Sequence, residues 1–297
     1  MGSTKKGDDS AMAYVFVYGT LRKHEHNHEL LAAPEAWAMQ SRVRGRLYDT
    51  RCGYPAMVLD ASCWTYGELY QVDNAQLSVL DRLEGYLGEE HDNLYNRVLV
   101  DVETDSGFET AYAYVFSQTQ VRGLAEVELG DWRVSRIMKE RTEWLFFAYG
   151  SAMDHERYER EGVNNQFQNT IGRGTLDGYS LVFSKESWDG SRADIMEVGG
   201  TTEGKVYRVG LGGVAYLFER EGVKTGHYRP AVIDLEVCAE EQRDVLVFLN
   251  VNKQAESCPP EWYVREILRG ARGLVSEDYL DGIMGRVSKL REGRRDF

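Results

Sequence analysis

The sequence contains one ordered set of motifs twice, and this duplication restricts the fold more than any other feature of the chain. An apolar run that ends in Tyr18-Gly-Thr-Leu recurs 131 residues later as a run that ends in Tyr149-Gly-Ser-Ala. A Gly-x-x-Tyr motif and a Glu-Gly pair both recur 137 residues later. The Gly-x-x-Tyr motifs end at Tyr70 and Tyr207, and the Glu-Gly pairs begin at Glu84 and Glu221. Because the period is much longer than that of a solenoid repeat, the pattern indicates two copies of one domain.

The length of 297 residues also suits two domains of ordinary size. We predict a first domain over residues 12–119, a linker with a connecting helix over residues 120–143, and a second domain over residues 144–297 with additional C-terminal helices. Residues 1–11 are polar, and we interpret them as an added or disordered tail that precedes a natural start at Met12.

Composition argues against several kinds of partner. The net charge of −13 disfavours a nucleic acid, because phosphate binding needs a clustered positive surface. The sequence has no run of 18 apolar residues that would span a membrane, and its first residues lack the apolar core of a signal peptide. The four cysteines show no CxxC spacing, so we predict reduced and mostly buried thiols in a cytoplasmic protein.

Glu84 and Glu221 occupy an unfavourable position in their predicted helices. The helix before Glu84 is predicted to begin after Asp73 or Asn74 and to end at Gly85. Its predicted buried residues are Leu77, Leu80 and Leu83. A carboxylate in the last turn faces the negative end of the helix dipole, which costs about 0.3–1 kcal/mol and raises the pKa. A solvated surface glutamate tolerates this cost, but the use of the same position twice favours an acid–base role for at least one of the two.

The turns that follow the two apolar runs are candidate anion sites. A glycine turn after a buried strand directs successive N–H groups into a cleft, here from residues 19–21 and 150–152. An ordinary turn is the alternative interpretation. Because a Glu-Gly pair follows about 70 residues later in both halves, we predict one pocket in each half, with Glu84 near the first turn and Glu221 near the second.

At these residues the sequence resembles the γ-glutamylcyclotransferase superfamily. The first half, with VFVYGTLR, Asn27-His28 and LDRLEGY, resembles the γ-glutamylamine cyclotransferase branch. The second half, with FAYGSAM and EREGVKTGHY, resembles γ-glutamylcyclotransferase proper. The resemblance covers most of residues 14–285 and implies an α+β fold with two tandem mixed β-barrels of about six strands and flanking helices. One departure is Ala152, where the second branch usually has asparagine; the change removes a polar side chain but keeps the backbone donors.

The resemblance implies an intramolecular reaction that needs neither cofactor nor metal. The α-amine of a γ-glutamyl group attacks its own side-chain amide carbonyl, which gives 5-oxoproline and releases an amine or an amino acid. Glu84 or Glu221 acts as general acid and base, and the hydroxyls of Tyr95 and Tyr228 orient the glutamate or the substrate. The implied substrate-binding residues are Tyr18, Gly19, Thr20, Leu21 and Tyr95 in the first half, and Tyr149, Gly150, Ser151, Ala152 and Tyr228 in the second.

Two other functions are compatible with the same residues. One is a non-catalytic binding or scaffold protein in which one or both pockets are inactive, and the other is a γ-glutamyl hydrolase that uses water. The sequence does not indicate the leaving group or the oligomeric state. We expect the partner to be a small γ-glutamyl compound, and we expect no binding to nucleic acid or to a membrane. His24, His26 and His28 alternate as metal ligands sometimes do, but no further ligand cluster accompanies them, so we interpret them as a polar loop.

Overall fold

A computed structural model of the protein describes residues 12–32 and 36–293. The predicted tail at residues 1–11 therefore lies outside the described residues. The chain divides into two compact units, of which the first ends at Arg136 and the second begins at Ile137. In the part of the chain that the structure describes, no helix is long and apolar enough to cross a membrane.

The first unit is built around a ring of five paired strands. Its strands are β1 (Ala13–Val17), β2 (Ala38–Asp49), β3 (Pro55–Val72), β4 (Asn96–Thr104), β5 (Gly107–Val115) and β6 (Ala125–Glu126). Its helix α1 spans Asn74–Leu83, and α2 spans Trp132–Glu140 across the boundary between the units. The strand order is β3-β1-β5-β4-β2-β6, and β3 also pairs with β2, which closes the ring. Helix α2 lies within residues 120–143, for which the sequence predicts a linker with a connecting helix.

The second unit contains a closed barrel of five strands rather than the six implied by the resemblance. Its elements are β7 (Glu143–Ala148), α3 (His155–Arg160), β8 (Thr170–Asp177), β9 (Ser180–Ser187), β10 (Gly190–Met196), β11 (Thr201–Gly210), α4 (Leu211–Arg220), β12 (Tyr228–Val237), β13 (Glu240–Asn250), α5 (Glu261–Ala271) and α6 (Glu277–Gly293). The barrel order is β11-β7-β13-β12-β8, and β9 pairs with β10 in a separate sheet. Two mixed barrels with flanking helices confirm the predicted α+β class.

The first strand of each barrel has the same two neighbours. Strand β1 runs antiparallel to β3 and parallel to β5, where Val15 lies opposite Tyr112. Strand β7 runs antiparallel to β11 and parallel to β13, where Phe146 lies opposite Leu246. Because parallel strands end at the same edge, each pairing brings the Tyr-Gly turn beside the end of its parallel partner.

Steric crowding explains why the repeated Gly-x-x-Tyr motif begins with glycine. A Cβ atom on Gly67 would lie 2.3 Å from the carbonyl oxygen of Val17, and a Cβ atom on Gly204 would lie 2.4 Å from the carbonyl oxygen of Ala148. These distances are far below van der Waals contact, so no other residue fits without moving the neighbouring strand. The motif therefore marks a close approach between two strands of each barrel.

Helix α1 begins after Asp73, as the sequence predicts, and ends one residue earlier than predicted. The Asp73 side chain accepts a hydrogen bond from the Gln76 N–H, and the Gln76 side chain accepts one from the Asp73 N–H, which together form a capping box. Glu84 is the C-cap, and Gly85 follows in the left-handed region with φ of 64°. Leu77 and Leu80 are buried as predicted. The expectation that Leu83 is buried is wrong, because this side chain is half-buried and lines a pocket.

The expectation that the cysteines are mostly buried is also wrong. Cys52 and Cys238 are exposed, and Cys63 and Cys258 are half-buried.

We expect Gly67→Ala to destabilise the first unit by about 1–3 kcal/mol, because the added methyl group overpacks the contact with the Val17 carbonyl. Urea unfolding followed by circular dichroism measures the change. Gly282→Ala in helix α6 is the matched control, since nothing lies within 4 Å of the added Cβ atom there. That control should be neutral or stabilising by up to about 1 kcal/mol. Equal effects of the two substitutions would contradict the steric explanation.

Candidate active site

A pocket of about 310 Å³ in the first unit collects every site residue predicted for the first half. Its lining includes Tyr18, Gly19, Thr20, Leu21, Glu84 and Tyr95. The turn between β2 and β3 contributes Cys52, Gly53 and Tyr54, which the sequence did not indicate. The volume is in the range of small-molecule sites in proteins. This pocket is therefore large enough for a compound of the size of a γ-glutamyl amide.

Backbone hydrogen bonds hold Glu84 between the end of helix α1 and the start of strand β4. The Glu84 N–H donates to the Leu80 carbonyl at 2.9 Å, and the Glu84 carbonyl accepts from the Tyr95 N–H at 3.2 Å. The Leu94 N–H donates to the Gly85 carbonyl at 3.3 Å. These bonds place Tyr95, the residue before β4, next to Glu84. They also fix the direction in which the Glu84 side chain leaves the backbone.

Burial raises the pKa of the Glu84 carboxyl to about 7. The sequence argument attributed a raised pKa to the helix dipole, and the structure corrects that cause, because desolvation in the pocket accounts for the shift. Among the described residues, no side chain donates a hydrogen bond to this carboxylate or forms an ion pair with it. The pocket lining contains no lysine or arginine. Glu84 is thus a partly buried carboxylate with a free proton-accepting function.

A buried ion network supports the turn after β1. The Arg22 Nε atom lies 2.9 Å from Glu68, and its Nη1 atom lies 2.7 Å from Asp131. Glu68 also accepts hydrogen bonds from the Lys23 N–H at 2.7 Å and from the Tyr70 hydroxyl at 2.9 Å. Sequence reasoning missed these residues. The available signals were the basic residue after Tyr-Gly-Thr-Leu and the glutamate inside the Gly-x-x-Tyr motif.

Asn27 and His28 hold the same turn from the other side. The Asn27 side-chain amide donates to the Thr20 hydroxyl at 3.1 Å, and the Asn27 N–H donates to the Thr20 carbonyl at 3.0 Å. His28 Nδ1 lies 3.0 Å from the Leu21 carbonyl oxygen. Within the described residues, the N–H groups of Gly19, Thr20 and Leu21 donate to no protein acceptor. The turn is therefore held by hydrogen bonds from Asn27 and His28, while three of its N–H groups have no acceptor among the described residues.

The histidines of the loop have separate positions. His28 is engaged with the turn, whereas His26 lines the first pocket. In residues 12–32 and 36–293, no group of three or more histidine, cysteine, aspartate or glutamate side chains is arranged to hold a metal ion.

The two predicted tyrosines of the first pocket donate their hydroxyl protons to the backbone. The Tyr18 hydroxyl donates to the Tyr114 carbonyl at 2.6 Å, and the Tyr95 hydroxyl donates to the Pro55 carbonyl at 2.7 Å. Burial raises the pKa of both phenols, and the nearby charge of Glu84 raises it further. Both tyrosines therefore stay neutral and shape the pocket walls. Their hydrogen bonds tie the first strand of the barrel and the start of β4 to neighbouring backbone.

The second unit repeats this arrangement around a smaller pocket of about 50 Å³. Its lining includes Tyr149, Gly150, Ser151, Ala152, Glu221 and Tyr228, all of which the sequence predicted for the second half. The Tyr149 hydroxyl donates to the Phe248 carbonyl at 2.6 Å, and the Tyr228 hydroxyl donates to the Ala193 carbonyl at 2.8 Å. The Glu221 carbonyl accepts from the Tyr228 N–H at 3.2 Å, as its counterpart does in the first unit.

Two side chains without counterparts in the first pocket distinguish the second. Arg220 precedes Glu221 where Leu83 precedes Glu84, and its Nε atom lies 3.7 Å from a Glu221 carboxylate oxygen. Tyr263 of helix α5 also lines the pocket, and its hydroxyl accepts a hydrogen bond from the Ala193 N–H at 3.1 Å. The second pocket therefore contains a cation beside its glutamate and less free volume than the first.

Each barrel brings a Tyr-Gly turn and a helix that ends in Glu-Gly to one pocket. Two such barrels in one chain define a tandem protein of the γ-glutamylcyclotransferase type. Residues 15–134 match the family described as γ-glutamyl cyclotransferase, AIG2-like, and residues 201–283 match the AIG2-like family. The chain is 38% identical over 282 residues to YkqA of Bacillus subtilis (strain 168), which covers 94% of this chain and 99% of YkqA. The chain belongs to the γ-glutamylcyclotransferase family.

Further comparisons agree with this assignment. The crystal structure of YkqA from Bacillus subtilis matches with a TM-score of 0.84 at 37% identity, over 94% of this chain and 98% of that chain. The γ-L-glutamyl-butirosin B γ-glutamyl cyclotransferase of Niallia circulans is 32% identical over 127 residues, which are 42% of this chain and 79% of that protein. The family protein YtfP of Escherichia coli (strain K12) is 34% identical over 118 residues, 40% of this chain and 94% of YtfP.

We expect the Glu84 carboxyl to titrate at about pH 7 in the folded protein, because burial disfavours its charged form. NMR of protein labelled with ¹³C at the glutamate carboxyl carbons measures this, and Glu84→Gln identifies the resonance. The folded pKa of about 7 exceeds the usual value of 4.5, so the associated stability is fully present below about pH 4.5 and is lost as the pH rises through 7.

Glu84→Gln should therefore gain stability relative to the wild type as the pH rises from 5 to about 8. Glu89→Gln, at an exposed position close in sequence, controls for the loss of one negative charge. A Glu84 resonance that titrates near 4.5 would contradict the desolvated environment.

Proposed function

We propose that the first domain converts a γ-glutamyl amide to 5-oxoproline and a released amine or amino acid, with Glu84 as general base and acid. The observation that carries this proposal is a desolvated carboxylate, without a partner among the described residues, in one pocket with three free backbone donors. The name of the butirosin B relative, a γ-glutamyl cyclotransferase, supports the same reaction type.

The chemistry of ring closure suits this set of residues. The α-amine and the γ-carbonyl belong to one molecule, so a five-membered ring forms once the pocket holds the glutamyl group in a folded conformation. The α-amine must first lose a proton, and a carboxylate with a pKa of about 7 is a stronger base than an ordinary glutamate. The nitrogen of the neutral α-amine then forms a bond to the γ-carbonyl carbon. The bond from that carbon to the leaving nitrogen breaks as Glu84 returns the proton to that nitrogen, and no water is consumed.

Backbone donors are the proposed anion-binding groups. The N–H groups of Gly19, Thr20 and Leu21 bind either the α-carboxylate of the substrate or the oxyanion that develops at the attacked carbonyl. No lysine or arginine lines the pocket to take this role. Because the buried Arg22 network and Asn27 already fix the turn, these donors need little rearrangement when the oxyanion forms.

The second domain carries the same proposed roles in weaker form. Glu221 corresponds to Glu84, residues 150–152 correspond to the first turn, and Tyr149 and Tyr228 form the walls. Its pocket of about 50 Å³ is well below the usual size of a site for a whole small molecule. We therefore assign the main cyclotransferase activity to the first domain and expect Glu84 to matter at least as much as Glu221.

We expect Glu84→Gln to lower kcat for 5-oxoproline formation by about 10²–10⁴-fold, because glutamine keeps the size of the side chain but cannot accept the amine proton. The assay measures 5-oxoproline from a panel of γ-glutamyl amines, amino acids and peptides. The wild-type rate should also fall as the pH decreases below about 7, where Glu84 becomes protonated, and this dependence should be absent from the variant.

Glu221→Gln is the matched variant in the second domain and should reduce the rate no more than Glu84→Gln does. The same assay separates the alternatives, since a hydrolase releases glutamate and a binding protein releases nothing. A chelator added to the wild type checks the expectation that no metal is required. A double variant that makes 5-oxoproline at the parental rate would exclude both glutamates as the base.

A further inference from the structure

Arg220 is a buried cation that the protein satisfies only in part. Its side chain is 11% exposed, and its Nη1 atom is buried without a hydrogen-bond partner among the described residues. The Nη2 atom donates to the Ser151 hydroxyl at 3.2 Å. The carboxylate of Glu221 lies 3.7 Å from Nε, which is an ion pair but longer than a hydrogen bond. A buried guanidinium nitrogen without an acceptor costs free energy, so the pocket offers an unused donor.

The comparison with Arg22 shows how a buried arginine is satisfied when its role is structural. Arg22 has carboxylate oxygens at 2.9 and 2.7 Å, from Glu68 and Asp131. Arg220 instead lies near tyrosine side chains: its guanidinium carbon is 5.9 Å from the centre of the Tyr158 ring, and Tyr216 and Tyr263 are close enough to affect its pKa. Such surroundings exclude water from the cation and strengthen its attraction for an anion.

The groups beside Arg220 complete an anion site. Gly150, Ser151 and Ala152 line the same pocket, and their N–H groups donate to no protein acceptor within the described residues. We propose that the second pocket binds the carboxylate group of a small molecule through the Arg220 guanidinium and the N–H groups of the 150–152 turn. The first pocket has the equivalent N–H groups but no guanidinium, because Leu83 occupies the position of Arg220.

Size and charge favour a carboxylate over a phosphate. A volume of about 50 Å³ accepts a planar two-oxygen group more readily than a tetrahedral one, and a carboxylate matches the fork of a guanidinium. The negative charge of Glu221 also disfavours a dianion beside it. Binding at this site does not depend on the reaction proposed for Glu84, so a direct binding measurement tests it separately from activity.

The test is an NMR titration of the full-length ¹⁵N-labelled protein with sodium acetate, with chloride exchanged to keep the ionic strength constant. Acetamide, which has nearly the same shape without the charge, is the control ligand. We expect acetate to shift the amide signals of residues 150–152 with saturation, and acetamide to leave them unchanged. The signals of residues 19–21 report any binding in the first pocket independently.

Arg220→Gln should weaken acetate binding at residues 150–152 by about 10- to 100-fold, the loss expected for a charge-assisted hydrogen bond. Arg243→Gln removes a positive charge from an exposed arginine of strand β13 and should leave the affinity unchanged. Glu221→Gln should tighten binding, because it removes a repulsive charge next to the ligand.

The amide spectrum of each variant also shows whether it is folded. If Arg220→Gln does not fold, Arg220→Lys decides the question, since lysine keeps the charge but loses the two-pronged contact and should bind acetate more weakly than the wild type. The proposal is wrong if acetate leaves residues 150–152 unshifted, if acetamide shifts them equally, or if the folded Arg220 variant binds acetate with parental affinity.

Discussion

Both domains depend on the closure of a small barrel by a parallel pairing of its first strand. In the first domain, this pairing places the Tyr-Gly turn next to the end of β5, and the Tyr18 hydroxyl bonds directly to the Tyr114 carbonyl of that strand. Closure also brings the backbone of β3 close to that of β1. Glycine is therefore the only residue type that fits at position 67, next to the Val17 carbonyl. The orientation of the turn, and thus of its free N–H groups, is a consequence of how the barrel closes.

The two pockets have the same backbone arrangement but differ in the charges next to the glutamate. In each domain, a tyrosine N–H holds the carbonyl of the glutamate, and a tyrosine hydroxyl holds a strand carbonyl. The residue before the glutamate differs: Leu83 in the first domain and Arg220 in the second. A leucine leaves the carboxylate desolvated without a cation, which favours proton transfer, whereas an arginine supplies a cation, which favours anion binding. The residue before the glutamate therefore sets the charge next to the carboxylate in each pocket.

Sequence reasoning succeeded where the chain repeats itself. The duplicated order of motifs predicted two copies of one domain and paired Glu84 and Glu221 with the turns beside which they lie in the two pockets. The α+β barrel fold of each copy was predicted from the resemblance to the γ-glutamylcyclotransferase superfamily. Sequence reasoning missed Arg22, Glu68 and Asp131, since their contacts join residues that are 46 and 109 positions apart. The small volume of the second pocket was also not predictable, because Tyr263 reaches it from an appended helix.

The ion pair between Arg22 and Asp131 has a consequence for folding during synthesis. Arg22 leaves the ribosome 109 residues before Asp131, so the turn at residues 18–23 lacks one of its two carboxylates until α2 begins to emerge. Removing one partner of a buried ion pair costs about 3–5 kcal/mol. The barrel strands of the first domain are complete before that point, but Arg22 gains its second carboxylate only when Asp131, directly before α2, has been synthesised. A fragment that ended at residue 119 would carry all five strands of the ring and leave Arg22 without Asp131.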